Sequence, residues 1–331
     1  ATYYPFADPY SLTVEPALAR EAAVSLADAG QQVWQLLFQG PRAPEGLKQA
    51  VLALRDLPHG SELQVVIESQ QFIVPWALLY DKPGEINAET LDWSGFWGYR
   101  YIMDVLPPGN YPEPTISDLP PGVGLLFHDD ESLRRFTDEQ ERFVRRALGV
   151  QRIRIACGAA EVRRALAEAG DSTLLYVYCH GQHESGAVRP GALPSESALT
   201  FSRGDRVRLA DMRRIVTGPL SGRPLVFLNA CEGATQDAFY YDGFMPFFIE
   251  ECGARGFIGT EVKAPQLLAH DFALRFLERF GEGRPVGEIL WQLRRYYLEK
   301  HNNPLAFNYT LYGLDEVQLA RPLLVGKTPE Q

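Results

Sequence analysis

From residue 122 onward, short apolar runs alternate with stretches whose apolar residues recur at helical spacing. Val123–Phe127, Arg152–Ala156, Thr173–Cys179, Leu225–Ala230 and Gly256–Gly259 read as strands. The short apolar run Leu225–Ala230, and Thr173–Cys179 of the same shape, suit strands buried on both faces, as in a parallel sheet. Helical spacing marks Asp138–Leu148, Ala160–Glu168, Ala210–Val216 and Gly243–Cys252, then two longer helices, Gln266–Phe280 and Val286–Lys300. Strand and helix in alternation predict a doubly wound α/β fold, its sheet mostly parallel and flanked by helices. Ala198–Phe201 and Arg206–Leu209 flank Ser202-Arg-Gly-Asp205 and read as a hairpin, and Asn308–Leu311 as a final strand.

The first third reads differently. Glu15–Gln39 predicts a helix interrupted at Gly30, with Val33, Leu36 and Leu37 on one side and Gly40-Pro41 ending it. Pro44–Arg55 continues as a second helix. Leu63–Glu68 predicts a strand that Phe72–Val74 pairs with after a turn, and Pro75 opens a short helix through Tyr80. Trp93, Phe96, Trp97, Tyr99 and Tyr101 form an aromatic cluster, read as core, in a loop leading into a strand through Met103. Six prolines then lie between Pro107 and Pro121, a composition suited to an extended linker. The expected organisation is an N-terminal α+β subdomain over 1–106, a Pro-rich linker over 107–121 and the α/β domain over 122–331.

Composition narrows the function. With 331 residues, 46% hydrophobic and 22% charged, the chain can bury a sizeable core. Its net charge of −10 is uneven: residues 1–115 hold 6 basic and 14 acidic side chains, and 116–331 hold 26 and 28. That acidic front argues against nucleic acid as the main partner. The doublets Arg134-Arg135, Arg145-Arg146 and Arg163-Arg164 sit among acidic residues and read as solvated helix faces. No apolar run approaches the ~18 residues a membrane span needs. Ala1-Thr-Tyr-Tyr-Pro5 lacks the basic and apolar regions of a signal peptide, and the four cysteines show no metal spacing. The expectation is a cytoplasmic, reduced protein without metal or cofactor. Gly253-Ala-Arg-Gly256-Phe-Ile-Gly259 precedes and includes a strand, the wrong context for a phosphate loop.

Two apolar runs end in chemistry. Thr173–Cys179 is followed by His180-Gly181, and Leu225–Ala230 by Cys231-Glu232-Gly233. Alone, a strand-end cysteine is ordinarily a small buried residue and His-Gly a turn. Together, on neighbouring parallel strands about 5 Å apart, they would bring a thiol and a base to one sheet edge. A free thiol titrates near 8.5, and a nearby imidazolium lowers that value toward a resting thiolate. Acyl transfer also needs two backbone donors for the oxyanion, and the N–H groups of Gly181 and Cys231 are the natural pair. His183 is the alternative base, one loop further on. Asn229 lies two residues before Cys231 on the same side of an alternating strand, where it either lines a substrate pocket or caps the strand end. Glu232, Asp237 and Glu261 each follow a strand end at the same edge and are candidates for an acidic substrate pocket or for solvated residues.

The two signatures, Tyr-Cys-His180-Gly181 and Leu-Asn-Ala-Cys231-Glu-Gly, resemble the His-Gly and Cys signatures of caspase-like peptidases of the CHAT type. Ile73-Val-Pro-Trp-Ala-Leu-Leu-Tyr80 and Glu251-Cys-Gly-Ala-Arg-Gly-Phe-Ile-Gly-Thr260 add flanking similarity, so the resemblance covers about Gly30 to Gly313. It implies a caspase-like sheet and a cysteine endopeptidase acting on selected protein targets through a Cys231/His180 dyad. It also implies an effector of prokaryotic defence or signalling, switched on by a fused or separate sensor. Asn229 stands where metacaspase-like enzymes carry an acidic residue, which leaves basic-residue specificity unsupported there. Two other readings remain: a non-catalytic scaffold on the same fold, and a small-molecule thiol amidase. The loops Gln182–Ser197 and Glu232–Asp242 are long for βα connections, which predicts that a partner or substrate must order them.

Overall fold

The structure, a computed structural model, describes residues 11–57, 63–68, 74–107, 111–117, 122–148, 153–183, 197–202, 205–231, 243–261 and 264–323. The chain opens with α1 (Pro16–Trp34), which runs into a π-helical turn at Gln35–Gln39, followed by α2 (Glu45–Arg55) and β1 (Leu63–Glu68). Short 3₁₀ turns at Trp76–Leu78 and Trp93–Gly95 lead to α3 (Trp97–Arg100), β2 (Tyr101–Leu106) and β3 (Thr115–Ile116). Then come β4 (Val123–Phe127), α4 (Glu131–Ala147), β5 (Ile153–Cys157), α5 (Ala159–Ala167) and β6 (Leu174–His183). A hairpin of β7 (Ser197–Ser202) and β8 (Asp205–Arg208) precedes α6 (Leu209–Ile215) and β9 (Leu225–Cys231). The chain closes with a π-helical turn at Phe247–Glu251, β10 (Gly256–Thr260), α7 (Gln266–Gly281), α8 (Val286–His301), β11 (Tyr309–Gly313) and β12 (Gln318–Leu319).

Ten of these strands form one sheet in the order β1-β2-β11-β10-β9-β6-β4-β5, with β7 added to β6 and β8 to β7. The pairings β4/β5, β4/β6, β6/β9, β9/β10, β1/β2 and β2/β11 are parallel; β10/β11 and the hairpin are antiparallel. This is the mostly parallel, doubly wound α/β sheet that strand–helix alternation predicts. Burial explains the apolar runs: Leu174–Tyr178 and Leu225–Leu228 are at most 1% exposed. One face carries aliphatic and small residues of these strands, including Val177, Cys179, Val226 and Leu228, against α5, α6 and the Phe247–Glu251 turn. The other carries Tyr176, Tyr178 and Phe227 against α4, α7 and α8.

The N-terminal third shares this sheet. β1 pairs with β2 from Leu63↔Tyr101 to Glu68↔Leu106, and β2 reaches β11 at Val105↔Tyr312. The described partner of β1 is β2; Phe72 and Ile73 of the expected return strand lie outside the described residues, and Val74 belongs to no strand. The Pro-rich stretch is not wholly extended linker either. Thr115–Ile116 pairs with Gln318–Leu319, and Ile116 is fully buried. The basic doublets are surface helix residues with acidic or aromatic company: Arg145 bonds Glu141, Arg163 bonds Asp205, and Arg135 lies over the Phe136 ring.

Two expectations for α1 fail for packing reasons. Gly30 does not break the helix; it lets the helix press against the backbone of the Trp76–Leu78 turn, where a Cβ would meet the Leu78 carbonyl oxygen at 2.1 Å. Leu36 does not join Val33 and Leu37 on the core, because the π turn widens the helix and leaves Leu36 73% exposed. Gly30→Ala will therefore destabilise the protein by about 1–3 kcal/mol: the overlap with the Leu78 carbonyl outweighs the ~1 kcal/mol that alanine gains in a helix. A rise in the melting temperature of the variant would refute this account of the contact.

A buried carboxyl pair lies at the seam between β2 and the segment after β11. Asp104 Oδ1 accepts from the Asp315 N–H at 2.9 Å, and the Gln64 amide donates to Asp104 Oδ2 at 3.3 Å and Asp315 Oδ1 at 2.8 Å. Burial first, and the Asp315 charge second, push the Asp104 carboxyl up to about 7; burial also raises Asp315. A folded-state value above the unfolded one makes the folded state bind the extra proton. The stability from this group is thus complete below about pH 4 and lost as pH rises through about 7. Asp104→Asn, which keeps an acceptor and removes the charge, will raise the melting temperature more at pH 8 than at pH 5. An equal shift at both values would rule out the titration.

Candidate active site

β6 and β9 set the site. Their parallel pairing runs from Leu174↔Leu225 to His180↔Cys231, so His180 and Cys231 are registered neighbours. β9 ends at Cys231. β6 does not end before the histidine as the sequence suggests: it continues through His180 and Gly181 to His183. Its continuation has a partner, because His180 pairs with Thr200, Gly181 with Leu199 and His183 with Ser197 of β7. His183 thus lies three residues beyond the register level of Cys231.

A strand has two edges, which fixes where β7 lies. At His180 one edge of β6 faces β9, so β7 occupies the edge that β4 holds lower down, where Phe127 pairs with Tyr178. The end of β4 is joined to both strands: His128 N–H donates to the Tyr178 carbonyl at 3.0 Å and Asp129 N–H to the Phe201 carbonyl at 2.8 Å. β4 and β6 also flank the point where strand order reverses, since β4 leads outward to β5 and β6 leads the other way to β9. Open α/β sheets bind ligands in the crevice at that point.

Asn229 has a place of its own. It is fully buried, and its side-chain amide donates to the Ala269 carbonyl at 2.7 Å and the Tyr176 hydroxyl at 3.2 Å while accepting from the Tyr309 hydroxyl at 3.0 Å. It neither caps a strand end nor presents its amide to solvent; it ties β9 to β6, β11 and α7. Glu261 follows β10 on the same sheet edge and is half-buried, its Oε1 accepting from the Tyr312 hydroxyl at 2.8 Å. Its charge offsets the burial of Arg294. Glu232, Asp237 and most of the loops 182–197 and 232–242 lie outside the described residues.

Two further neighbours at this edge, His128 and Thr200, are absent from the residues the sequence singles out. His128 is 4% exposed, its Nδ1 accepting from the Asp130 N–H at 2.8 Å, and Thr200 is 7% exposed. His128 was findable as the first polar residue after an apolar strand. Thr200, in the middle of a short strand of mixed polarity, gives no such signal. Replacing Asn229 by alanine will lower stability by about 2–4 kcal/mol, since it strips buried partners from a carbonyl and two tyrosine hydroxyls. Calorimetry beside an activity assay separates the roles: a substrate-pocket residue would lose activity with no change in melting temperature.

The CHAT domain family matches residues 27–313. A probable protease of Vitiosangium sp. (strain GDMCC 1.1324) is 30% identical over 251 residues, which cover 72% of this chain and 32% of that protein. The chain thus spans about a third of its relative's length. Among solved structures, a complex of the pro- and mature domains of RgpB from Porphyromonas gingivalis superposes with a TM-score of 0.53 at 10% identity. That match covers 92% of this chain and 77% of the other. So low an identity speaks for the fold alone, and it agrees with the sheet described above. The match over 27–313 and the strand order together make this chain a member of the CHAT domain family on a caspase-like α/β fold.

Proposed function

We propose that the chain is a cysteine endopeptidase whose dyad is Cys231 and His180, acting on selected protein targets. The observation that carries this reading is the register of the two residues across adjacent parallel strands at the carboxyl edge of the sheet. The protease name of the relative from Vitiosangium supports it. The other cysteines are poor nucleophiles. Cys179 is buried on the face opposite the α7–α8 layer, and burial pushes the Cys252 thiol up to about 12. Cys157 is exposed at the end of β5, but partial burial and then the Glu161 carboxylate raise its value.

In the proposed cycle the Cys231 thiolate attacks the peptide carbonyl while His180, as imidazolium, holds the proton. The oxyanion takes hydrogen bonds from the N–H groups of Gly181 and Cys231. His180 then gives its proton to the leaving amine, the C–N bond breaks, and a thioester remains on Cys231. Water attacks the thioester as His180 takes its proton, and the carboxylic acid and the thiolate–imidazolium pair are restored. Losing one oxyanion donor typically costs about 10²–10³ in rate. Glu261 stands at the substrate edge in this reading, with Glu232 and Asp237 as its partners in an acidic pocket.

A sensor, fused or separate, would switch the enzyme on, and the length of the relative beyond the matched third leaves room for such a module. The effector role in prokaryotic defence or signalling belongs to the same proposal. Wild type, Cys231→Ala and His180→Ala are to be incubated with a proteome-derived peptide pool and the products read by mass spectrometry. Cleavage is expected from wild type only, and products from either variant at the wild-type rate would end the dyad assignment.

A further inference from the structure

Thr200 sits where the site needs an acceptor. It is the Cα partner of His180 on the strand edge away from Cys231, so His180 lies between the two across three adjacent strands. All three positions fall on one face of the sheet. Cys179, Leu199, Phe201 and Leu228 pack on the aliphatic face, and strand alternation turns 180, 200 and 231 to the other, the face of Tyr176, Tyr178 and Phe227. Directly opposed residues of an antiparallel pair share a face with Cβ atoms about 4.5–5.5 Å apart.

The hydroxyl is out of place as a packing group. Thr200 is 7% exposed, and its Oγ1 has no hydrogen-bond partner among the described residues. A buried hydroxyl without a partner costs stability, and valine fills the same volume without that cost. Leaving threonine there disadvantages the fold, which points to a role for the oxygen outside the fold.

We propose that Thr200 is a positioning residue of the dyad: its Oγ1 accepts a hydrogen bond from the His180 ring nitrogen that does not face Cys231. The inference rests on the dyad reading above. An imidazolium that hands one proton toward the thiolate carries a second N–H, and a neutral acceptor for it stabilises the charged ring and fixes its orientation. The hydroxyl takes no part in bond making or breaking. Its effect is a larger thiolate–imidazolium population at Cys231 near neutral pH.

Thr200→Val and Thr200→Ser separate this role from packing, because the two roles order them oppositely. For each, with wild type and His180→Ala beside them, the rate of Cys231 alkylation by iodoacetamide is followed from pH 5 to 10 by peptide mass spectrometry, together with the melting temperature. Alkylation needs no known substrate. Thr200→Val is expected to melt at or above the wild-type temperature, to alkylate about tenfold more slowly at pH 6.5, and to show its thiolate limb moved to higher pH. Thr200→Ser keeps the oxygen and is expected to follow the wild-type profile. His128 and Asp129 at the neighbouring end of β4, and Arg206, the β8 partner of Thr200, are common to all variants, so they do not account for a shift between them. A Thr200→Val profile that matches wild type while His180→Ala does not would overturn the positioning role alone. Lower melting temperatures in both Thr200 variants, with reactivity lost in proportion, would overturn it in favour of packing. Coincident wild-type and His180→Ala profiles would instead remove the dyad itself, and this inference with it.

Discussion

The site depends on the register between β6 and β9. Register is ordinarily set by an apolar and a polar face, because a slip of one residue turns every side chain over. These two strands are apolar on both faces, so that rule has little hold on them. Size takes its place. The α7–α8 face carries rings, with Tyr176 and Phe227 at 5.3 Å and Phe227 and Phe276 at 5.0 Å; the opposite face carries Val177, Cys179, Val226 and Leu228. A slip would push rings into space shaped for aliphatic groups and leave voids behind them. Asn229 adds a polar lock, since its amide meets the Tyr176 and Tyr309 hydroxyls and the Ala269 carbonyl in one register only. Two residues further along these strands stand His180 and Cys231.

Much of this was legible in the sequence, and the failures share a cause. Continuous apolar runs announce strands buried on both sides, and strand–helix alternation announces the winding. What a single sequence does not show is which backbone approaches which. His180-Gly181 reads as the end of a strand, because polarity and glycine follow an apolar run; β7 pairs with it from 14 to 20 residues further on and keeps the strand going. Gly30 reads as a helix break, yet the Leu78 carbonyl needs the room its missing Cβ leaves. Thr115–Ile116 lies among prolines that suggest an open linker, yet it pairs with Gln318–Leu319 near the far end of the chain. Asn229 shows the same limit: a short polar side chain two residues inside an apolar strand serves a pocket, a strand end or a core equally well by sequence, and only the ring hydroxyls around it reveal its buried bonds.

The seam between the N-terminal third and the rest is held in another way. Among the described residues β2 and β11 share one registered pair, Val105↔Tyr312, so few described ladder hydrogen bonds join the two parts. α8 does the joining. Its Gly287 lets the Asp315 backbone and Ile102 come close, its Trp291 indole donates to the Tyr99 carbonyl at 3.0 Å, and its Glu299 accepts from the Tyr99 hydroxyl at 3.0 Å. Arg294 of the same helix donates to the Tyr309 carbonyl at 2.6 Å, and the Glu261 charge offsets its burial. Glu261 is in turn held by Tyr312, the residue that makes the described pairing to β2. The polar groups of this seam thus reach, partly through charge, Glu261 at the end of β10, two strands from His180. The aromatic core fixes the register that sets His180 beside Cys231, whereas the polar seam fixes where Glu261, at the end of β10, stands on the same sheet edge.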